Sequence, residues 1–394
     1  MKASPARSPT GEDPIRGAVN ILTHVEQLNP DGGEQVNSLH ISRELAKRGH
    51  RIDLVYTTDG AFAPEYREFC HSLQQVPPVD LSLRSPVAGA RNLLGSVRAS
   101  VRSKPDVIYN TRFFSLEWAA ATHLVTRAPV VCHAQGDVGG NKPRERVRVK
   151  LARDYIPVSR YVAGSLRQLG VDDAAITVVH NGVDPDLYPF GGEEELYRAR
   201  EVMGIDRDAI VVLYYGRLDP IKGIEVLLES FTLLSRHSDR MLLVIQGAWK
   251  DNEAYFRRLQ ALAPPGGVRW MRRDTDVVTP LHAADVVVCP SVWQEPFGRV
   301  IIEALSTGRP IVATGVGGIP EILTGELARL LVAPGDPTAL AEKLIETHDW
   351  RSTLPGLGMA CRRHVEGHFT QSQMVDGIEE VMERAVRRRS GGPR

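Results

Sequence analysis

The stretch AIVVLYYGRLDPIKGIEVLLESFTLL, Ala209 to Leu234, contains the pattern that decides the fold. It opens with an apolar run of the length of a buried strand, ending at Arg217. From about Gly223 onward, apolar side chains recur at the spacing of one helix face. A buried strand that leads through a short loop into an amphipathic helix is the repeating unit of a parallel sheet covered by helices. The helix positions are Ile224, Leu227, Leu228, Phe231 and Leu234.

The same unit recurs on both sides of this stretch. The alternation predicts an α/β protein of two facing, Rossmann-like, doubly wound domains, residues 18–185 and 186–370, with a cleft between them. Residues 184–208 are charged and are predicted to be a loop-like linker, and residues 1–17, rich in Pro, Ser and charge, a disordered tail. The other predicted strands are VNILTH (19–24), RIDLVYT (51–57), DVIYN (106–110), PVVCHA (129–134), ITVVHNG (176–182), MLLVIQG (241–247), DVVVCPS (285–291) and PIVATG (310–315), and helices are predicted over EQVNSLHISRELAK before Gly49 and over AEKLIETHDW.

Composition and charge narrow the possible functions. The 394 residues carry 48 basic and 48 acidic side chains, so no overall field attracts nucleic acid. Four cysteines stand far apart, which predicts buried thiols of a reducing compartment and neither a disulfide framework nor a metal site. No apolar run approaches the roughly 18 residues that span a bilayer. We therefore expect a cytoplasmic protein, and the abundance of Arg, Ala and Val is typical of a GC-rich bacterium.

Two cations flank the loop of the opening stretch. Arg217 ends the predicted strand and Lys222, five residues later, begins the helix, where a cation opposes the helix dipole. A bound anion would remove that conflict, since arginine can bind two oxygens and lysine acts as a point charge. The alternative is a pair of solvated surface cations.

Two glutamates accompany an apolar helix in SVWQEPFGRVIIEALSTG, Ser291 to Gly308. Glu295 lies in a Pro/Phe/Gly turn and Glu303 among apolar neighbours, where a carboxylate is costly unless something binds it. Eight helical residues rise about 12 Å, more than the roughly 5–9.5 Å between the paired carboxyls of glycosidases. We interpret them as binding two parts of one hydroxyl-rich ligand. The alternatives are an ion pair within the fold for Glu303 and a helix N-terminal charge for Glu295.

Three further features are weaker. The loop containing Gly33 joins the first strand to the first helix and suits anion binding, but it is neither GxGxxG nor a P-loop, and a tight turn is equally possible. His133 ends an apolar strand, where a lone histidine is more often structural. The run Lys142–Arg153 carries six cations and one acid, and a solvated helix is favoured over a membrane contact. Arg387–Arg389 is open to the same two interpretations.

Taken together, these motifs resemble the retaining GT-B glycosyltransferases of family four, also called glycosyl transferases group 1. The resemblance covers about residues 18–330. Its residues from about Phe62 to Arg153 match no particular subfamily, which leaves the acceptor open. The motifs that carry it are GGEQ, VSRYVAGSLRQLGV, HNGVD, GRLDPIKG, EPFGRVIIE and GVGGIPEIL.

The resemblance implies roles for the residues that would lie near the phosphates of a donor. Arg217 and Lys222 would bind the diphosphate of a nucleotide-sugar donor and stabilise it as it leaves, so that no metal is needed. Gly33 would approach the same phosphates from the other domain. The last helix, about Gln371 to Arg389, would cross back to the first domain.

On the sugar side, Glu295 would bind the donor's hydroxyls and Glu303 the ribose. His133 would lie near the donor sugar and the acceptor. Backbone N–H groups would assist from Phe297, Gly298 and Arg299.

The resemblance thus predicts a retaining, metal-independent hexosyltransferase without a cofactor. It would move a hexose or amino-hexose from a UDP-sugar, or secondly GDP-mannose, to a hydroxyl of a small-molecule acceptor, with glycan or lipid acceptors less favoured. The alternatives are a GT-B nucleotide-sugar epimerase and a non-catalytic two-domain sugar-binding protein. A dinucleotide oxidoreductase is disfavoured because GxGxxG is missing.

Overall fold

A computed structural model describes residues 17–30, 32–78, 86–140, 142–248, 252–272 and 276–389. The tail predicted over residues 1–17 lies outside these ranges except for Gly17. Two parallel sheets, each of six strands in the described residues, confirm the predicted GT-B architecture of two doubly wound domains.

The first sheet has the strand order β3-β2-β1-β4-β5-β6. Continuous apolar stretches form its central strands, which are buried on both faces as expected for a parallel sheet covered by helices. Its strands are β1 Asn20–Gln27, β2 Arg51–Thr58, β3 Ser72–Gln75, β4 Val107–Asn110, β5 Val130–Ala134 and β6 Asp154–Pro157. The helices that follow them are α1 Gly33–Lys47, α2 Ala63–Phe69, α3 Pro86–Val101, α4 Leu116–Thr126, α5 Pro143–Arg148 and α6 Arg160–Gln168.

The second sheet repeats this arrangement with the order β12-β11-β10-β7-β8-β9. Its strands are β7 Ile210–Arg217, β8 Met241–Ala248, β9 Val268–Arg272, β10 Val286–Cys289, β11 Ile311–Thr314 and β12 Leu331–Val332. Its helices are α7 Glu193–Met203, α8 Ile224–His237, α9 Glu253–Leu262, α10 Val278–Ala283, α11 Arg299–Ser306, α12 Ile319–Ile322, α13 Pro337–His348, α14 Trp350–Thr353 and α15 Leu357–His368, and α16 Gln371–Arg389 follows.

Two sequence predictions of local structure were wrong. The run 176–182 is not a strand: Ile176 makes only an isolated bridge to Tyr155, and β6 at Asp154–Pro157 takes the sheet position instead. The segment 184–208 is not all loop, because three glutamates in the first turn and the left-handed Gly204 after the last turn define helix α7. Short strands with polar residues, β3 and β9, were not predicted, since their patterns lack a continuous apolar run.

The strand orders place a topological switch point in each sheet. Chain progression reverses between β1 and β4 in the first sheet and between β7 and β10 in the second. In open α/β sheets, ligands bind beyond the carboxyl ends of the strands at such points. The loops after these four strands are therefore the places where function is expected.

Helix α16 packs on the first sheet, although it follows the second domain in the chain. Its Val375 and Ile378 share a buried cluster with Ile21 and Val131 of that sheet. Arg48 adds ion pairs of 2.7 Å to Asp376 and to Glu379. Among the helices in the described ranges, none is both long and apolar enough to cross a membrane.

Candidate functional site

The switch point of the second sheet brings Lys222 and Glu295 together. Lys222 follows β7 and Glu295 follows the neighbouring strand β10. Lys222 Nζ lies 2.5 Å from Glu295 Oε1, and the Ser291 hydroxyl donates to the same oxygen at 2.6 Å. The side chains are 22% and 13% exposed, so this ion pair is partly shielded from water and reachable from the cleft.

Two glycines, one after β7 and one after β11, allow their loops to approach the loop that carries Glu295. Gly223 has φ of +70°, and a Cβ there would lie 2.0 Å from the carbonyl oxygen of Pro290. Gly317 has φ of +57°, and its Cβ would lie 2.0 Å from the carbonyl oxygen of Glu295. Both positions require glycine on conformational and steric grounds. The motifs GRLDPIKG and GVGGIPEIL are thus parts of one packed structure.

Glu303 is buried on α11, and its carboxylate has partners within the fold. Oε1 accepts from the Tyr188 hydroxyl at 3.1 Å and from Arg299 Nε at 2.5 Å, while Oε2 accepts from the Tyr215 hydroxyl at 2.9 Å. The residue is 6% exposed. A carboxylate offers about four acceptor positions, so Oε2 retains capacity for a further hydroxyl donor.

Arg299 connects the two domains. Besides Glu303, it donates from Nη1 to Asn37 Oδ1 on α1. A Cβ at Gly33 would lie 3.6 Å from Arg299 Cδ, so the glycine loop of the first domain faces the start of α11. The nearby carboxylate of Glu303 holds the pKa of Arg299 above its usual range. Nη2 is buried and makes no hydrogen bond to the described part of the chain.

The remaining residues predicted to bind the donor have distinct surroundings. The Arg217 side chain is 56% exposed, and its contact to Asp219 is a loose 3.9 Å. Phe297 is buried, with its ring 5.8 Å from His180 and 6.0 Å from Phe369, centroid to centroid. Gly298, at φ of +103°, precedes the first turn of α11. The N–H groups of such a first turn have no partner within their helix and suit an anion or sugar oxygen.

His133 lies at the end of β5 and is fully buried. Its Nδ1 lies 2.5 Å from the Tyr109 hydroxyl, and its Nε2 makes no hydrogen bond within the described residues. If Tyr109 donates its only proton to Nδ1, the unpaired Nε2 carries a hydrogen; the opposite tautomer would leave two buried groups unpaired. Burial lowers the pKa of His133 to about 3, so the ring is neutral at ordinary pH.

A second set of contacts joins the domains beside this site. The Ser159 hydroxyl donates to the Pro296 carbonyl at 2.6 Å. The Glu321 carboxylate accepts from the N–H groups of Arg160 and Tyr161 at 2.8 and 2.9 Å. These N–H groups begin α6, where the helix dipole favours a negative charge. The hydrogen bond to His180 and these N–H groups hold the pKa of Glu321 below its usual range.

The expectation of a solvated helix over Lys142–Arg153 was wrong for one of its cations. Arg148 is 6% exposed and pairs with Glu117 at 2.7 Å and with Glu145. At the C-terminal end of α16, Arg388 pairs with Asp154 at 2.9 Å. Cys132, Cys289 and Cys361 are buried free thiols, as predicted, and Cys70 is half-buried.

Several site residues were not found by sequence reasoning. Tyr215, which binds Glu303, and Tyr109, which binds His133, lie on predicted strands that look like ordinary core. Tyr188, which also binds Glu303, lies in the segment predicted to be a linker. Glu321 lies in the GVGGIPEIL motif, but no role was predicted for it. A possible indication for Tyr215 was its place directly before the GR of the cation motif, at the carboxyl end of β7.

This architecture has solved counterparts. Anabaena HepE, crystallised with UDP and glucose, is 22% identical with a TM-score of 0.79, over 93% of this chain and 99% of that chain. A Rickettsia africae glycosyltransferase is 19% identical with a TM-score of 0.81, over 94% and 99%. At these identities the likeness concerns the fold. The two facing sheets and their cleft define a GT-B protein.

Sequence comparison identifies the family. The model for "Glycosyl transferases group 1" matches residues 198–350, and that for "Glycosyltransferase Family 4" matches 31–187. A D-inositol 3-phosphate glycosyltransferase of Xylanimonas cellulosilytica is 30% identical over 353 residues, covering 79% of this chain and 82% of that relative. The chain belongs to the group 1 glycosyltransferases of family 4. A D-inositol 3-phosphate glycosyltransferase of Corynebacterium diphtheriae is 31% identical over 55% of this chain. The match spans about half of that relative's length, 52%.

Proposed function

We propose that this protein transfers a hexose or amino-hexose from a nucleotide diphosphate sugar to a hydroxyl of an acceptor, with retention at the anomeric carbon and without a metal. The observation that carries the proposal is the adjacency of Lys222 and Glu295 at the switch point of the second domain. The Lys222 ammonium can bind the phosphate oxygens of a sugar diphosphate, and the Glu295 carboxylate beside it can bind the sugar's hydroxyls.

The leaving group sets the main chemical demand. The bond between the anomeric carbon and the diphosphate oxygen breaks, and negative charge grows on the phosphate. Lys222 and Arg217 neutralise that charge in place of a metal ion, and one fixed donor of this kind is worth about 10²–10³ in rate. The exposed Arg217 side chain is free to turn toward a bound diphosphate.

Retention follows from attack on the face that the leaving group vacates. The acceptor oxygen forms the new bond to the anomeric carbon, and its proton passes to an oxygen of the departing diphosphate. No covalent nucleophile is needed. Glu295 orients the donor sugar, Glu303 binds the ribose through the free capacity of Oε2, and neutral His133 donates from Nε2 to the sugar.

The donor favoured is a UDP-sugar, with GDP-mannose second. HepE was crystallised with UDP and glucose, which supports that order. For the acceptor, the names of the relatives make a polyol phosphate one candidate.

A thermal-shift comparison of UDP, GDP, ADP and TDP tests the donor. A ligand that binds only the folded state raises the free energy of unfolding by RT ln(1 + [L]/Kd), so the largest shift names the base. Release of the nucleoside diphosphate from the matching donor then tests turnover. Binding without release would favour the non-catalytic sugar-binding alternative.

A further inference from the structure

The turn that carries Glu295, residues 294–298, is built onto the start of α12. The Gly318 N–H donates to the Glu295 carbonyl oxygen at 2.8 Å. The Gly317 N–H donates to Gln294 Oε1 at 2.7 Å. Both glycines directly precede α12, so the turn and this helix form one unit of the second domain.

The first domain holds this unit at the start of α6. Ser159, the residue before this helix, donates its hydroxyl to the Pro296 carbonyl oxygen at 2.6 Å. Glu321 of α12 accepts from the N–H groups of Arg160 and Tyr161 at 2.8 and 2.9 Å. We call these three hydrogen bonds the α6 dock. Two side chains, one from each domain, thus tie the end of a helix to the turn that presents the Glu295 carboxylate.

The packing at the α6 dock is close. A Cβ added to Gly318 would lie 2.5 Å from the Pro296 carbonyl oxygen and 3.0 Å from Ser159 Cβ. The Glu321 side chain is 16% exposed, and His180 Nε2 lies 3.1 Å from its Oε2. Because the surfaces touch and are largely shielded from water, a displacement of α6 would move the turn with it.

The α6 dock suits a charged carboxylate. The first N–H groups of a helix have no partner within it, and the helix dipole favours a negative charge there. Glu321 uses both of its oxygens, Oε2 for the N–H of Arg160 and Oε1 for that of Tyr161. Such charge-assisted hydrogen bonds are roughly twice as strong as neutral ones. A glutamine would offer one acceptor oxygen in place of two.

The α6 dock acts on the Glu295 turn and contains no residue of the loop that carries Lys222. That loop follows β7 and has support of its own, since the Lys222 N–H donates to the Asp219 carbonyl oxygen at 2.9 Å. Loss of the α6 dock therefore releases the main chain around Glu295 on one side. The main chain around Lys222 stays in place.

We infer that Glu321 is a positioning residue for the proposed transfer. Through the α6 dock it fixes the main chain of the turn, so that the Glu295 carboxylate is in place to orient the donor sugar only while the two domains are in contact. The inference rests on the proposed function and adds to it a residue that acts through Glu295 and not on the donor itself.

The test separates turnover from nucleotide binding. In Glu321→Ala, kcat for release of nucleoside diphosphate from the donor chosen by thermal shift should fall about tenfold or more, because a misplaced orienting group costs rate. The Kd for the free nucleoside diphosphate, measured by calorimetry, should change by less than about twofold. Full kcat would overturn the inference. An equal loss of nucleotide affinity would show a general structural role and would overturn it too.

A second variant and a control complete this comparison. Glu321→Gln keeps the shape of the side chain and should show the same separation of kcat from Kd, so the test holds even if Glu321→Ala fails to fold. Glu326→Ala, at an exposed glutamate of the same domain, is the matched control and should change neither quantity.

A double-mutant cycle tests whether Ser159 and Glu321 act together. If both substitutions break the same α6 dock, Ser159→Ala combined with Glu321→Ala should lower kcat by less than about threefold beyond Glu321→Ala alone. Losses that multiply in full would contradict a shared dock. If the wild-type protein bound no nucleotide and released no diphosphate, the proposed function itself would fail, whereas normal wild-type turnover with an unaffected Glu321→Ala would refute only the positioning role.

Discussion

Lys222 Nζ and Glu295 Oε1 lie 2.5 Å apart, joining the loops after β7 and β10. Each partner positions the other, since the lysine is held by a carboxylate that Ser291 also fixes at 2.6 Å. A sugar diphosphate contains both groups that this pair can serve: phosphate oxygens for the ammonium and hydroxyls for the carboxylate. The pair holds two loops of the candidate site together, and its partial burial sets it apart from a surface ion pair.

Lys222→Ala should reduce turnover by at least about a hundredfold, because the leaving diphosphate loses a fixed cation. The variant should remain folded, since the ammonium lies at the edge of the cleft. Steady-state release of nucleoside diphosphate measures the loss, and circular dichroism checks the fold. Lys47→Ala, which removes a 66% exposed lysine of α1, is the control and should keep full activity. Near-normal turnover in Lys222→Ala would contradict the role of this cation.

Arg217→Ala should give a loss of similar size with no change in melting temperature. Its guanidinium is 56% exposed and has only a 3.9 Å contact to Asp219, so the fold gains little from it. Arg198→Ala, at a 65% exposed arginine of α7, should leave both turnover and melting unchanged. If Arg217→Ala melted several degrees lower, the residue would be structural and the activity loss would need another explanation.

Glu303 requires a more conservative substitution than alanine, because its carboxylate also stabilises the fold. Glu303→Ala would leave Arg299 buried without its charge partner, a loss of the order of 3–5 kcal/mol in unfolding free energy. Glu303→Gln keeps the shape and should be less destabilised. In Glu303→Gln, the Kd for the free nucleotide should rise about tenfold by calorimetry. Unchanged affinity would show that the ribose is bound elsewhere.

Tyr215→Phe removes a hydroxyl that lies 2.9 Å from Glu303 Oε2 and 2.9 Å from the Val300 carbonyl oxygen, and so shares its one proton between them. If a ribose hydroxyl and Tyr215 share Glu303 Oε2, the variant should change nucleotide affinity by less than about threefold. A larger loss than in Glu303→Gln would mean that Tyr215, and not the carboxylate, contacts the nucleotide.

The sequence was sufficient to predict the fold and to single out the two loops with the strongest motifs. Continuous apolar strands such as β7 and β10 are buried on both faces, and their pattern carries that information. The short polar strand β3 and helix α7 depend on tertiary packing and capping, which periodicity does not record. The positions of Lys222 and Glu295 in sequence gave no distance between them. Their contact depends on which strands are neighbours in the second sheet.

The partners of site residues were harder to predict for a physical reason. Tyr188 is distant in sequence from Glu303, and Asn37 is in a different domain from Arg299. The first contact forms when the second domain folds, and the second forms only when the two domains meet. Arg148 illustrates the reverse case: within a basic run it looks solvated, yet it is 6% exposed and paired with Glu117 and Glu145. Composition cannot distinguish a charge that is paired from one that is free.

Removal of metal ions by chelation tests whether protein cations or a metal ion stabilise the charge on the leaving diphosphate. In excess EDTA, turnover should fall by less than about twofold, since Arg217 and Lys222 belong to the chain. The measurement is the rate of diphosphate release before and after chelation, with magnesium added back as the control. Abolition by EDTA and recovery with magnesium would contradict the metal-independent mechanism.

The Tyr109–His133 pair predicts how activity depends on pH. Burial lowers the pKa of His133 to about 3, so the imidazole stays neutral throughout the assay range, and in the proposed role it donates from Nε2. His133→Asn should therefore lower kcat/KM by the same factor at pH 6 and at pH 9. Stability behaves differently: the unfolded histidine gains a proton near pH 6.5 and the buried one does not, so wild type loses stability relative to His133→Asn as the pH falls from about 7 toward 4. Tyr109→Phe, which frees Nδ1, should weaken donor binding without adding a pH step. A ratio of wild-type to His133→Asn rates that changes around pH 6 to 7 would mean that His133 titrates in the working enzyme, and that the neutral-donor role is wrong.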